Sequence, residues 1–150
     1  MYKKILAPLD GSKLSECSLP HVKTIAAGCE TAEVIVMRAV EPERQIVKVE
    51  EDLRKGAEEG VKAAAKEYVD KIANQLKKEG LPAKGIVAKG KAEETIMDYA
   101  TKNNVDLIVM STHGRSGISR WAAGSVTDRV ARYSAIPVLL ISPAASKQKK

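Results

Sequence analysis

Residues 105–114 read VDLIVMSTHG, and they carry the clearest indication of the fold. The apolar run Leu107-Ile108-Val109-Met110 predicts a strand, Val105 to Ser111, that is buried on both of its faces. A glycine-bearing loop follows directly after the strand. A strand of this kind belongs in a parallel sheet that is covered by helices on both sides, so the stretch predicts an α/β fold.

Apolar runs and segments of helical periodicity alternate along the whole chain. The predicted strands are Tyr2 to Leu9, Ala32 to Val40, Pro82 to Lys89, Val105 to Ser111 and Pro137 to Ser142. The predicted helices are Ser15 to Ala27, Glu50 to Lys78, Ala92 to Lys102 and Gly124 to Ser134. Right-handed crossovers between successive strands then favour a doubly wound, five-stranded parallel sheet in a single domain.

Two of these helices lead to specific expectations. Pro20 must lie in the first turn of its helix or kink it, because proline has no N–H for a helical hydrogen bond. The long helix has apolar residues every three or four positions from Leu53 to Leu76, which predicts that this stripe covers the sheet while Lys and Glu face water. Gly80-Leu81-Pro82 is expected to end that helix.

Composition excludes several classes of protein. The 150 residues are 44% hydrophobic and 29% charged, which fits one globular domain. No apolar run approaches the roughly 20 residues of a membrane-spanning helix, and residues 1–7 lack the apolar segment of a signal peptide. We therefore expect a cytoplasmic protein with no membrane partner. Cys17 and Cys29 match neither C-x-x-C nor a zinc-ligand spacing, so they are interpreted as inert thiols.

The positive charge of the chain is concentrated at its carboxyl end. Of the formal net charge of +6, three charges belong to Lys147, Lys149 and Lys150. The aromatic content is 3% and Phe is absent, whereas nucleic-acid binding favours clustered basic residues interleaved with aromatic ones. We therefore predict no nucleic-acid partner, a domain over residues 1–143, and a disordered basic tail over residues 144–150.

The carboxyl edge of the predicted sheet is the expected place for a ligand. In doubly wound sheets, ligands bind where the strand order reverses. Pro8-Leu9-Asp10, Ala39-Val40 and Met110 to Gly114 should meet there. The third segment continues into a loop with Gly117 and Gly124, whose backbone N–H groups and following helix suit a phosphate. The loop matches neither the Walker A sequence nor the G-x-G-x-x-G of dinucleotide folds.

Several of these residues have a structural interpretation beside the functional one. Ser125 has the spacing to bind phosphate, but with Asp128 it equally forms a capping box, and spacing alone does not decide. Asp10 suits either a ribose hydroxyl or a turn before glycine. His113 has no paired carboxylate and is interpreted as structural, and Arg115 suits either phosphate or water.

The fragment from Met110 to Gly114, followed after nine residues by Gly124-Ser125-Val126, resembles the signature G-x-x-G-x9-G-[ST] of the universal stress protein family. The opening Lys3 to Ser12 and the ending Ile136 to Ile141 are similar to the first and last strands of that family. The resemblance implies a Rossmann-like sheet in the order 3-2-1-4-5 and a homodimer joined through the last strand, Pro137 to Ser142. The first glycine of the signature is Ser111 here, so a Cβ stands where the family pattern has only hydrogen.

The resemblance also implies a cytosolic stress-response regulator that binds ATP, ADP or AMP, with Mg²⁺ or Mn²⁺ bridging the phosphates. The alternative is a nucleotide-free dimerisation and protein-interaction module, which Ser111 favours. At most we expect slow ATP hydrolysis, and no residue is assigned as catalytic or as a metal ligand, because the candidate bases lack partners. Together the loop and the resemblance give these nucleotide-binding candidates: Pro8, Leu9, Asp10, Ala39, Met110, Ser111, His113, Gly114, Arg115, Gly117, Gly124, Ser125 and Val126.

Overall fold

The computed structural model describes residues 1–41, 51–112 and 125–143. The strands of this part of the chain are β1 (Lys4–Leu9), β2 (Glu33–Val40), β3 (Ala83–Lys89), β4 (Leu107–Ser111) and β5 (Val138–Ile141). The helices are α1 (Leu19–Gly28), α2 (Glu51–Lys78), α3 (Ala92–Lys102) and α4 (Val126–Tyr133). All neighbouring strands run parallel, in the order β3-β2-β1-β4-β5. The predicted single-domain, doubly wound sheet and its strand order are confirmed.

Successive strand residues alternate between two hydrophobic layers. In β1, Ile5 and Leu9 pack with buried residues of α1 and α2, among them Val22. Leu6 points to the opposite face and packs with Ile96 of α3. Because both faces of the central strands are covered, their sequences are apolar throughout rather than alternating. Each fully buried side chain of this size contributes roughly 1.5–3 kcal/mol of transfer free energy.

The first predicted helix begins later than its sequence pattern indicated. Ser15–Ser18 form a 3-10 turn, and α1 follows at Leu19 with proline in its first two positions. Pro20 therefore lies in the first turn, where its missing N–H costs no helical hydrogen bond. Of the two alternatives for this proline, the first-turn position is confirmed.

Helix α2 covers the sheet along only part of its length, so the prediction of a continuous packed stripe is wrong for its first half. Ala65, Val69 and Leu76 are buried, but Leu53 is 64% exposed and Val61 is 52% exposed. The 28 residues of α2 span about 42 Å at the helical rise of about 1.5 Å. The seven residues of β3 span only about 23 Å. The helix is longer than the strand beside it, which leaves apolar residues of its first half without sheet to cover them.

The contact between α2 and β3 is close at one glycine. A Cβ at Gly85 would lie 2.8 Å from the backbone carbon of Val69, and Lys66 Nζ donates a hydrogen bond of 2.8 Å to the Gly85 carbonyl. Helix α2 then ends before Gly80, which has φ +88° as a helix-ending glycine requires, so the predicted stop is confirmed. Among the described residues, none of the helices combines the length and apolarity needed to span a bilayer.

Charged side chains tie the strands together at the amino edge of the sheet. The carboxylate of Asp106 accepts hydrogen bonds from the backbone N–H groups of Lys3 at 3.0 Å and Lys4 at 2.9 Å. Glu33 forms ion pairs with Lys84 at 2.8 Å and with Lys4 at 3.6 Å. The hydrogen bond from Lys84 lowers the pKa of Glu33, against the opposing effect of burial. Glu33 and its two lysines therefore compensate one another's charges, while the carboxylate of Asp106 is satisfied by backbone N–H groups.

Candidate functional site

The turn after β1 is held by its own polar side chains. Oδ1 of Asp10 accepts hydrogen bonds from the backbone N–H of Ser12 at 2.8 Å and from its hydroxyl at 2.5 Å. The hydroxyl oxygen of Ser15 accepts a bond of 3.3 Å from the Asp10 N–H. Gly11 between them has φ +88°, which favours glycine. Asp10 therefore forms the turn, as one of its two interpretations predicted, and fixes the backbone at the carboxyl end of the strand.

Arg38 lies against this turn from the neighbouring strand. The parallel ladder places Arg38 of β2 beside Leu9 of β1. A Cβ at Gly11 would lie 2.9 Å from Nη1 of Arg38, so the guanidinium rests directly on the glycine. Sequence reasoning did not single out Arg38. The available signal was a charged residue that directly follows the apolar run Val34 to Met37.

Tyr68 of α2 belongs to the same neighbourhood. Its hydroxyl is buried near the carboxylate of Glu16, but among the described residues it forms no well-aligned hydrogen bond. Burial is the largest effect raising the pKa of Tyr68, and the negative charges of Glu16 and Asp10 raise it further, while the positive charge of Arg38 lowers it. Glu16, Asp10 and Arg38 therefore all lie near enough to Tyr68 for their charges to act on its hydroxyl.

Ser111 ends β4 and is almost completely buried. Its hydroxyl oxygen accepts a contact of 3.4 Å from the thiol of Cys17 in the 3-10 turn, which places the side chain on the α1 side of the sheet. Its carbonyl accepts a hydrogen bond of 3.1 Å from the hydroxyl of Thr127. Thr127, which sequence reasoning also missed, therefore ties the first turn of α4 to the end of β4. Cys17 and Cys29 are free thiols.

Helix α4 starts at Ser125, which is its N-cap residue. The Ser125 hydroxyl oxygen accepts a hydrogen bond of 3.1 Å from the backbone N–H of Asp128. The Asp128 carboxylate accepts a bond of 2.9 Å from Nε of Arg132, one turn further along the helix. The capping interpretation of Ser125 is confirmed, and the hydroxyl hydrogen of this residue remains a possible donor to a ligand.

The remaining candidates fall into two groups. Pro8 and Leu9 lie in β1, Ala39 near the end of β2, Met110 in β4, and Val126 at the first position of α4. The ends of β1, β2 and β4 are adjacent, because β1 lies between the other two. The reversal of strand order falls between β1 and β4, as the sequence predicted. Five candidates lie outside the described residues: His113, Gly114, Arg115, Gly117 and Gly124.

The part of the chain that the structure describes offers no cluster of three His, Cys, Asp or Glu side chains suited to a metal ion. The described part of the carboxyl edge consists of backbone turns, a helix N-terminus and polar side chains that are hydrogen-bonded to their neighbours. Such an arrangement can hold an anionic ligand through N–H groups and hydroxyl donors.

Comparison with known proteins gives consistent results. The chain matches the Universal stress protein family over residues 1–142. It is 33% identical over 156 aligned positions to Universal stress protein MJ0577 of Methanocaldococcus jannaschii, covering 94% of this chain and 95% of that protein. The solved structure of MJ0577 superposes with a TM-score of 0.83 over 95% of this chain and 96% of its own, at 34% identity.

Two more distant structures share the fold and contain adenine nucleotides. One is a universal stress protein in complex with cAMP, at a TM-score of 0.67 and 23% identity, covering 95% of this chain and 98% of that one. The other is a universal stress protein family member from Arabidopsis thaliana with AMP bound, at a TM-score of 0.63 and 13% identity, covering 97% and 94%. The family match over residues 1–142, together with the likeness to MJ0577, shows that this chain belongs to the universal stress protein family.

Proposed function

We propose that this protein is a cytoplasmic stress-response regulator that binds an adenine nucleotide at the carboxyl edge of its sheet, within a domain spanning residues 1–143. One observation supports the proposal above the others. The turn after β1, the end of β4 and the N-terminus of α4 come together where the strand order reverses. This is the general position of ligands in doubly wound sheets, and a helix N-terminus there favours phosphate.

The proposed site has a nucleoside side and a phosphate side. On the nucleoside side, Asp10 would accept a hydrogen bond from a ribose hydroxyl, with Ala39 and Met110 beside the adenine. A carboxylate has about four lone-pair positions, so the two bonds by which Asp10 forms the turn are compatible with a third from the ribose. On the phosphate side, Ser125 and the backbone N–H groups at the start of α4 would bind oxygen atoms, together with the signature glycines Gly114 and Gly124.

The contacts of Ser111 support binding despite the missing signature glycine. Its hydroxyl contacts Cys17, and the residue is only 6% exposed. The added side-chain atoms therefore pack inside the fold on the side of the 3-10 turn. A ligand that approaches the strand end from the α4 side would not have to displace them.

The choice of ligand is supported by the neighbours that contain cAMP and AMP. Both ligands share an adenosine and at least one phosphate, so adenosine phosphates are the ligand class that we propose. Within this class we propose ATP, with Mg²⁺ or Mn²⁺ bridging its phosphates. ADP and AMP are the alternatives that a titration would distinguish.

We further propose a homodimer joined through β5 and its flanking residues, Pro137 to Ser142. β5 pairs with β4 alone among the described strands and so lies at an edge of the sheet. An edge strand presents unpaired backbone groups that a second copy can satisfy. Leu139 on this strand is 36% exposed, which adds an apolar contact. Light scattering should give twice the chain mass, and Leu139→Lys should shift the distribution towards monomer.

A nucleotide-free interaction module is the second candidate function. The Cβ and hydroxyl of Ser111 at the signature position favour it, because close approach of a ligand to the backbone is easiest at glycine. The Ser111→Gly variant separates the two candidates. If the side chain blocks the ligand, this variant gains nucleotide affinity over the natural protein. If the side chain is accommodated as described above, both proteins bind equally.

The proposed function is tested by the ligand that accompanies the native protein. The protein is purified without added nucleotide and denatured, and the released small molecules are identified by chromatography and mass. ATP with Mg²⁺ is then titrated by calorimetry into the emptied protein. We expect an adenine nucleotide in the released fraction or a dissociation constant near the micromolar range, about −8 kcal/mol. An empty protein with a flat titration would contradict the proposal.

A further inference from the structure

Arg38 occupies a position that no signature motif covers. It lies near the carboxyl end of β2, in register with Leu9, the last residue before the Asp10 turn. Its guanidinium reaches across to β1 and rests on Gly11, at 2.9 Å from the position that a Cβ would take. The contact joins β2 to the turn that forms the nucleoside side of the proposed site.

Arg38 shares the neighbourhood of Tyr68 with two carboxylates. The carboxylates of Asp10 and Glu16 and the guanidinium of Arg38 all act on the hydroxyl of Tyr68, the carboxylates in one direction and the guanidinium in the other. Among these three groups, Arg38 carries the positive charge that offsets the carboxylates. An anionic ligand bound beside Asp10 would meet unfavourable repulsion if the guanidinium were absent.

We propose that Arg38 is a specificity-determining residue of the nucleotide site: its charge offsets the carboxylates of Asp10 and Glu16, and it thereby makes the site prefer phosphorylated adenosines to adenosine. The inference rests on the proposed function, because it assigns a role within the same site. It explains how a charged ligand is tolerated beside the carboxylate of Asp10. The helix N-terminus and the glycine loop act on the phosphate side and do not explain this.

Arginine suits this role for two physical reasons. A guanidinium stays protonated at every physiological pH, so the compensation does not depend on conditions. Arg38 is also partly buried against the turn, where salt screens its charge less than it screens a fully exposed charge. The net charge of the whole chain therefore says little about the potential at this site.

The test compares adenosine with AMP on charge-altered variants. Arg38→Met removes the charge and keeps an unbranched stem to cover Gly11, whereas Arg38→Lys keeps the charge and loses the planar fork. Lys77→Ala, in the last turn of α2 at the opposite edge, lowers the net charge equally and serves as the matched control. Affinities are measured by calorimetry at low and at physiological ionic strength.

We expect Arg38→Met to weaken AMP binding about tenfold and adenosine binding less than about threefold, because only AMP carries a charge on which the guanidinium can act. Arg38→Lys should retain most of the AMP affinity, and Lys77→Ala should retain all of it. The tenfold loss should also shrink at higher ionic strength.

Two results would overturn the role of Arg38 while leaving the proposed function intact. One is an equal loss of AMP and adenosine affinity in Arg38→Met, which would indicate a packing role. The other is unchanged AMP affinity in that variant. If Arg38→Met does not fold, as judged by circular dichroism, Arg38→Gln replaces it under the same criteria. Failure of the unmodified protein to bind either AMP or adenosine would instead contradict the proposed function. The proposed preference for AMP over adenosine would then be contradicted as well.

Discussion

The two edges of the same sheet use their polar side chains differently. At the amino edge, Glu33 pairs with two lysines and Asp106 accepts two backbone N–H groups, so that strands are joined to one another. At the carboxyl edge, Asp10 and Ser125 bind N–H groups of the turn and helix beside them. The polar side chains of the amino edge therefore bind charged groups and N–H groups of other strands. Asp10 and Ser125 at the carboxyl edge instead fix the local backbone of a turn and a helix start.

This difference indicates where substitution should affect stability and where it should affect binding. Charges that satisfy one another at the amino edge contribute to folding, and their loss should leave the ligand unaffected. Polar groups that shape the carboxyl edge set the positions of donors and acceptors for a ligand. Four substitutions test this separation, in order of decreasing expected effect.

The largest effect is expected from Ser125→Asp at the start of α4. Aspartate caps a helix as well as serine does and its charge suits the helix dipole, so the free energy of unfolding should not fall. The added carboxylate would repel phosphate, and we expect ATP affinity to fall about a hundredfold, equivalent to about 3 kcal/mol. Calorimetry and urea denaturation measure the two quantities, with Ser125→Thr as a control that retains both. Unchanged ATP affinity would show that phosphate does not bind at the start of α4.

A smaller loss is expected from Asp10→Asn, measured with adenosine so that no phosphate charge is involved. The amide oxygen can still accept from Ser12 and keep the turn, but a neutral acceptor binds a ribose hydroxyl about half as strongly as a carboxylate does. We expect adenosine affinity to fall about tenfold with little change in the urea midpoint. If affinity does not change while stability drops, Asp10 is a turn residue only.

Asp106→Ala applies the opposite test at the amino edge. The N–H groups of Lys3 and Lys4 lose their charged acceptor, one of them at a partly buried position. We expect a loss of about 1 kcal/mol in the free energy of unfolding, because solvent replaces part of the lost bonds. Nucleotide affinity should stay within about twofold, which is about 0.4 kcal/mol. A large loss of affinity would show that the two edges are coupled.

The smallest effect is the acid sensitivity contributed by Glu33. Its pKa is lowered in the folded protein by the hydrogen bond from Lys84, so its ion pairs stabilise the fold at pH values above its ordinary pKa of 4.5. That stabilisation is lost as the pH falls through the lowered value. Glu33→Gln should therefore be less stable than the natural protein at pH 7, by under about 1 kcal/mol, and equal to it at strongly acid pH. Urea denaturation at several pH values measures this difference. A difference in the free energy of unfolding that stays the same at every pH would contradict the prediction.

The sequence contains most of the information about the fold. Uniformly apolar strands require cover on both faces, and this was enough to predict the parallel doubly wound sheet. The exposed first half of α2 was not predictable, because a periodic stripe such as Leu53 to Leu76 records which side is apolar but not how long the opposing sheet is. The position of Pro20 also needed the structure, since the sequence allowed two alternatives.

The candidate site is predictable only in part. The segments that converge follow from the topology, and Ser125 was found with both of its interpretations open. Arg38 and Tyr68 were missed because their significance arises from contacts between β2, α2 and the turn after β1, which are distant in sequence. No local pattern encodes such a contact. The signature residues between Ser111 and Ser125 that were predicted to hold phosphate remain predictions, because they lie outside the described residues.

Hydrogen exchange of the backbone amides, measured with and without ATP and Mg²⁺, is the direct test for a nucleotide site at the carboxyl edge of the sheet. It reports both whether the nucleotide binds and at which edge of the sheet it does so. We predict slower exchange confined to the carboxyl edge, in the segments 10–12, 39–40 and 111–128, with the amino-edge segments 3–4, 83–84 and 104–106 unchanged. Protection confined to the amino edge, or no change at saturating nucleotide, would contradict a nucleotide site at the carboxyl edge.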